Sequence, residues 1–151
     1  MNNRYLYRAK RTDNGEWVEG NLVWSYDADD DYKAIIIPTT DSNMFTRGGA
    51  RADLGFENWF RVDQSTICQC TGKTDIEKNL IFEHDVVSFL DATSTECGYS
   101  EHWQVGEVLW DDETASFQVT ERLSAESYEV LEDCKVLGNT IDNPELLEVG
   151  E

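Results

Sequence analysis

The chain has 151 residues, 40% of them apolar and 28% charged, which places it among globular rather than disordered or fibrous sequences. That length holds one ordinary domain or two very small ones. Thirty-one acidic against twelve basic side chains give a net charge of −19 at pH 7, and a surface of that sign repels phosphate backbones and argues against direct nucleic-acid binding.

The charge is unevenly placed. Residues 1–66 carry eight basic and eleven acidic side chains (−3), whereas residues 67–151 carry four basic and twenty acidic ones (−16). Arg4, Arg8, Lys10 and Arg11 form the one basic patch on offer. It is read as an edge strand protected by charge, in preference to a phosphate-contacting arm. No apolar run approaches the roughly 18 residues of a membrane helix, and Met1–Lys10 is polar and basic with no apolar signal region behind it. The expected setting is a reducing bacterial cytoplasm, without a membrane partner, in which Cys68, Cys70, Cys97 and Cys134 remain thiols.

Along the chain the hydrophobic period is 2 far more often than 3.6, which predicts strands. The first runs from Arg4 to Lys10, and Asn14-Gly15 is a hairpin signal leading to a second at Trp17–Trp24. Asp27–Asp31 reads as an acidic loop and Tyr32–Ile37 as a β-branched third strand ended by Pro38. From Thr39 to Gly55, around Gly48-Gly49, the pattern predicts a long loop. Phe56, Trp59, Phe60 and Val62 restore order, and the polar stretch Asp63–Thr66 marks a boundary that divides the chain into domains 1–65 and 66–151.

Beyond it, strands are predicted at Ile67–Cys70, Leu80–Phe82 and Val86–Leu90, with a turn at Glu83-His84-Asp85 and a second long loop at Asp91–Glu101. Trp103–Trp110 and Ala115–Thr120 form a predicted hairpin across Asp111-Asp112-Glu113. Leu123–Asp133 is left between short helix and irregular chain, and Cys134–Leu137 is a last strand. Asn143-Pro144-Glu145 predicts a terminal helical turn carrying Leu146 and Leu147. Many short strands separated by turn signals indicate an all-β barrel or sandwich.

Three ordered blocks carry a family resemblance. The first is Tyr7-Arg8-Ala9 followed by Gly15–Leu22; the second runs from Ile67 to Val87; the third runs from Val136 to Leu147. With Gly106-Glu107-Val108 between them, these blocks resemble the YopX family of phage and prophage proteins over nearly the whole chain. Cys70 stands where that family has Tyr or Phe, and His84 where it has Gly at a turn of positive φ. The resemblance implies an N-terminal bifurcated, coiled sheet and a C-terminal five-stranded SH3-like barrel. It further implies a homo-oligomer, a phage or prophage gene product, and no assigned activity.

Each candidate site has a plainer structural reading beside the functional one. Cys68-x-Cys70 puts both thiols on one face of a strand, but zinc needs two further ligands from Cys97, Cys134, His84 or His102, and small buried hydrophobes are the favoured reading. Asp111-Asp112-Glu113 and Asp27–Asp31 are solvated turns before they are cation sites. No catalytic signature, metal set or cofactor motif is present in the sequence, so no cofactor and no enzyme is expected. Exposed aromatics at Trp24, Trp59 and Trp103 are natural anchors for a host or phage protein. Gln69, Thr71 and Asp75, in the polar part of the second block, either hold a turn through side-chain hydrogen bonds or add to a recognition surface. The favoured function is thus a non-enzymatic, oligomeric interaction module. The alternative is an acidic mimic of DNA that occupies a host nuclease or DNA-binding protein, motivated by the −16 on residues 67–151.

Overall fold

A computed structural model describes residues 3–25, 33–40, 43–47 and 53–148. The predicted acidic loop Asp27–Asp31, Tyr32 and Gly48-Gly49 lie outside the described residues. The protein is mostly β: the described residues contain twelve strands, one α-helix and three short 3-10 turns. The chain divides into two compact units, Arg4–Gln69 and Cys70–Glu151, the latter together with Met1–Asn3.

In the unit Arg4–Gln69, β1 (Tyr7–Lys10) and β2 (Trp17–Trp24) form the hairpin that Asn14-Gly15 announces, with Gly15 at φ +73. Strand β3 (Ala34–Pro38) pairs with β2, and β6 (Phe60–Arg61) pairs with β3, all antiparallel. Cys68 and Gln69 pair with Arg8 and Tyr7 on the other side of β1. Strand β1 is therefore flanked on both sides, which corrects its reading as an edge strand. Arg4 lies outside it, in a 3-10 turn over Asn3–Tyr5. Alternation sends Ala9, Ala34, Ile36 and Val62 into one core, packed by Tyr7, Val18, Leu22 and Ile67.

The predicted loop Thr39–Gly55 is a second correction, because it contains an antiparallel ribbon of β4 (Met44–Arg47) and β5 (Asp53–Phe56). Four-residue strands are too short to show a clear period, which is why the sequence pattern missed them.

Gly20 carries the tightest constraint in this unit. A Cβ there would lie 2.1 Å from the Ile37 carbonyl oxygen, and backbone cannot yield as a side chain does. Gly20→Ala is expected to cost about 2 kcal/mol, read as a fall of roughly 5 °C in melting temperature. An unchanged melting temperature would contradict this close approach of β2 and β3.

The other unit begins in β7 (Cys68–Thr74), whose later part pairs with β8 (Leu80–Phe82). A four-stranded antiparallel sheet follows in the order β11 (Ser116–Val119), β10 (Gly98–Asp111), β9 (Asp85–Thr95), β12 (Lys135–Asn139). Helix α1 (Ser127–Glu132) buries Val130 and Leu131 against this sheet's core, which contains Ile81, Val87, Phe89, Val108, Val119 and Cys134. It settles the ambiguous Leu123–Asp133 segment. Ser127 Oγ accepts the Val119 amide at 3.0 Å and donates to Gln118 Oε1 at 2.8 Å, tying the helix start to β11.

The predicted loop Asp91–Glu101 is a third correction. Strands β9 and β10 run straight through it as one long hairpin, in register from Glu107↔Val86 to Gly98↔Thr95. Residues 94–103 are exposed throughout, so neither face shows the apolar alternation that marks a half-buried strand. The chain ends its described part in the expected turn, a 3-10 helix at Pro144–Leu147 with Pro at its start.

Candidate functional site

The apolar run Ala34-Ile35-Ile36-Ile37 has the pattern of a strand covered on both faces. Ala34 and Ile36 enter the core of their unit. Ile35 and Ile37 face the other way and line a groove of about 640 Å³ with Val23, Trp24, Ser25, Phe56 and Trp59. Register explains part of the assembly: Val23 stands opposite Ile35 on this face, while Trp24 ends β2 opposite the core residue Ala34. On the core face, Ile36 stands opposite Phe60, one residue after Trp59. Trp24 is 44% exposed and Trp59 45% exposed, so each ring keeps about half its surface toward solvent.

Asn43 braces this groove, and the sequence offered no reason to single it out. It is buried, and its Nδ2 donates to the Pro38 carbonyl at 2.9 Å and the Asn58 carbonyl at 3.1 Å. Its Oδ1 accepts the Asn58 amide at 2.7 Å, and its carbonyl accepts the Glu57 amide at 2.7 Å. These bonds close the open end of the β4–β5 ribbon, where Met44 pairs with Phe56, next to Trp59. No local signal marks it, because the sequence reads this segment as a loop, and a loop asparagine bonds backbone readily wherever it stands.

The other predicted surface residues part company. Trp103, at 75% exposure on β10, belongs to the other unit and stands opposite Leu90. Gln69 Nε2 donates to the Arg4 carbonyl at 2.9 Å. Thr71 and Asp75 are buried, so neither contributes to a surface. Thr71 Oγ1 donates to the Ile81 carbonyl at 2.9 Å and accepts the Lys73 amide at 3.1 Å. The Asp75 carboxylate accepts the amides of Glu77 (2.9 Å), Asn79 (2.8 Å) and Val136 (3.0 Å). Burial opposes its ionisation, but those donors prevail and hold its pKa below the usual carboxylate value.

His84, Glu107 and Asp111 hold turns. His84 adopts φ +71, the conformation expected of the turn. Its Nδ1 lies 3.0 Å from Glu107 Oε2, which also accepts Thr140 Oγ1 at 2.9 Å. Its amide donates to the Val108 carbonyl, and its carbonyl accepts the Thr140 amide. Asp111 accepts the Glu113 amide and Thr114 Oγ1, as a turn carboxylate does. Cys68, Cys70 and Cys134 are buried, and burial, with the charges of Asp75, Asp133 and Asp85, pushes the Cys134 thiol up to about 12. Among the described residues, no three His, Cys, Asp or Glu side chains are placed to share a metal ion.

With this geometry in place, comparison with known proteins is decisive at the level of family. The family model described as YopX protein matches residues 6–148. The chain belongs to the YopX family. The crystal structure of protein EF1440 from Enterococcus faecalis shares the fold, with a TM-score of 0.58, 24% identity, and coverage of 93% of this chain and 96% of that one. No curated protein matches. In this YopX-family chain, Thr71 and Asp75 of the second block act inside the fold, whereas the groove at Trp24 and Trp59 draws on β2, β3 and β5, largely outside the three blocks. No helix among the described residues is long and apolar enough to cross a membrane.

Proposed function

We propose that this YopX-family protein is a non-enzymatic, oligomeric interaction module that docks a partner protein in the Trp24–Trp59 groove. The observation that carries the reading is the groove itself: six apolar side chains and one serine line about 640 Å³ on a protein of net charge −19. Half-exposed tryptophans in a concave apolar setting are the residue type that dominates binding energy at interfaces. Long-range steering by the net charge favours a segment presenting an apolar anchor flanked by Lys or Arg, while the half that holds the groove carries only −3 of that charge. The non-enzymatic reading is supported by the hydrogen bonds of His84 and Glu107, which hold a turn.

Self-association has separate support in the β9–β10 ribbon, where Tyr99 is 66% exposed and Trp103 stands further out. Beyond Glu107, strand β10 pairs only with β9 as far as Gly98, so one edge of the ribbon carries no ladder among the described residues. A two-stranded ribbon is marginal alone, and an edge repeated on every copy suits antiparallel pairing with a second copy. Light scattering is expected to give a mass above that of the single chain; a single-chain mass at high concentration overturns the oligomer.

Docking is tested by titrating peptides with a Leu or Trp flanked by Lys or Arg while following tryptophan fluorescence. Trp24→Ala combined with Trp59→Ala, checked by circular dichroism for retained folding, is read through a fluorescent label on the peptide. The double variant is expected to weaken binding by about 30-fold or more. Affinity equal to that of the unaltered protein, or tighter binding of an acidic peptide than of the basic one, would overturn the reading.

A further inference from the structure

Four of the twelve basic side chains, Lys10, Arg11, Lys33 and Arg61, line one cleft of about 830 Å³ within the unit Arg4–Gln69. The other lining includes Thr12, Gln64 and Ser65, which offer neutral hydrogen-bonding groups, and a single carboxylate, Asp63. In a chain of net charge −19, this is a local excess of positive charge held in a concavity.

The frame of the cleft is built rather than draped. Segments 10–12, 33–34 and 61–63 are far apart in sequence but laced by backbone hydrogen bonds. Asp63 N–H donates to Lys10 at 2.8 Å, Thr12 N–H to Arg61 at 3.0 Å, and Val62 N–H to Ala34 at 3.2 Å. Arg11 and Val62 form an antiparallel bridge. The Arg11 guanidinium lies 4.0 Å from the Phe60 ring centroid, and Asp13 takes its Nε and one Nη2 donor at 2.9 and 2.6 Å. Two of five N–H groups are thereby engaged, and the plane is fixed by stacking. Asp63 directs its Oδ1 to the amide and hydroxyl of Ser65, at 3.0 and 2.7 Å.

We infer that this cleft binds a small ligand bearing a phosphate or diphosphate group. One guanidinium held in place, with three further cations around the concavity, matches tetrahedral oxyanions through charge-assisted hydrogen bonds. The volume lies in the range of about 300–1,000 Å³ usual for small-ligand sites, which leaves room for a nucleoside beyond the phosphates. A polynucleotide is a poorer occupant, because its backbone extends past four cations onto a surface of opposite preference. This inference is independent of the Trp24–Trp59 groove.

Calorimetric titration with inorganic pyrophosphate and with ADP tests it, using the full chain at low salt. Both are expected to bind, and Arg61→Gln and Lys33→Gln each to weaken them by about tenfold. Lys135→Gln removes the same charge from an exposed site in the other unit and is expected to leave affinity unchanged. Tighter binding of ADP than of pyrophosphate assigns a nucleotide, and equal affinities assign the phosphate chain alone; each supports the site. Absence of binding by either probe overturns it. So does a loss in Lys135→Gln equal to that in the cleft variants, or tighter binding of a single-stranded oligonucleotide than of ADP.

Discussion

Asp91→Ala is expected to cost about 3 kcal/mol of stability and to lower the melting temperature by roughly 10 °C. Asp91 is buried on β9, and its carboxylate collects the turn that follows β11. Oδ1 accepts the amides of Ala92 (2.8 Å), Ser124 (3.0 Å) and Ala125 (3.0 Å) and the Ser124 hydroxyl (3.2 Å). Oδ2 accepts the Leu123 amide. Removing the carboxylate leaves several amides without an acceptor, and hydrogen bonds to a charged group are the stronger kind. Burial opposes the charge, yet the amides of Leu123, Ser124, Ala92 and Ala125 outweigh it, and the carboxyl is held far below its ordinary value.

The sign for acid follows from that depression. The unfolded chain takes up the proton first, at about pH 4. The stabilisation is therefore fully present above that pH and is lost as pH falls toward the depressed folded value. Asp91→Asn is expected to flatten the decline of stability below about pH 4 relative to the unaltered protein. Hydrogen exchange gives the local readout, with faster exchange at Leu123, Ser124 and Ala125 in either variant. Unchanged exchange at those three amides would refute the account.

Asp75→Ala is expected to cost about 2 kcal/mol, with Asp75→Asn close behind because its amide group turns donors toward donors. Asp75 joins two segments distant in sequence: its own loop, through Glu77 and Asn79, and strand β12, through Val136. The neighbouring Ile76 amide donates to the Cys134 carbonyl at 2.9 Å, so the loop and β12 are fastened twice. Urea unfolding measures the loss, and peptide binding at the Trp24–Trp59 groove separates structure from recognition. Groove affinity is expected to be unchanged in Asp75→Ala at temperatures where it remains folded. Full stability combined with lost binding would instead return Asp75 to a recognition role.

The polar part of the second block depends on contacts that lie far away in sequence. Asp75, with Asn79 four residues on, has the look of a turn, and a turn aspartate serves structure and recognition equally well from its spacing alone. The Val136 amide decides between them, and it arrives from sixty-one residues away. Asn43 is the same case, since nothing local distinguishes it from an ordinary loop asparagine. That Trp24 and Trp59 keep part of their surface in solvent accords with large rings placed at or beside strand ends. Their meeting in one groove depended on the pairing of β2 with β3 and β3 with β6.

The sequence by itself determined the all-β class, the hairpin at Asn14-Gly15, the second strand at Trp17–Trp24, the terminal turn at Pro144, and membership in a family, because turn chemistry, period-2 alternation and ordered motif blocks are local properties. It also determined the acidity that repels anions in general. Only the tertiary structure decided which strands flank β1, how far the β9–β10 hairpin extends, and that Lys10, Arg11, Lys33 and Arg61 share a cleft despite the net charge of −19. The physical reason is one of range. Alternation reports whether a strand has a buried face, and hydrogen bonds between segments tens of residues apart decide which faces and which charges come together.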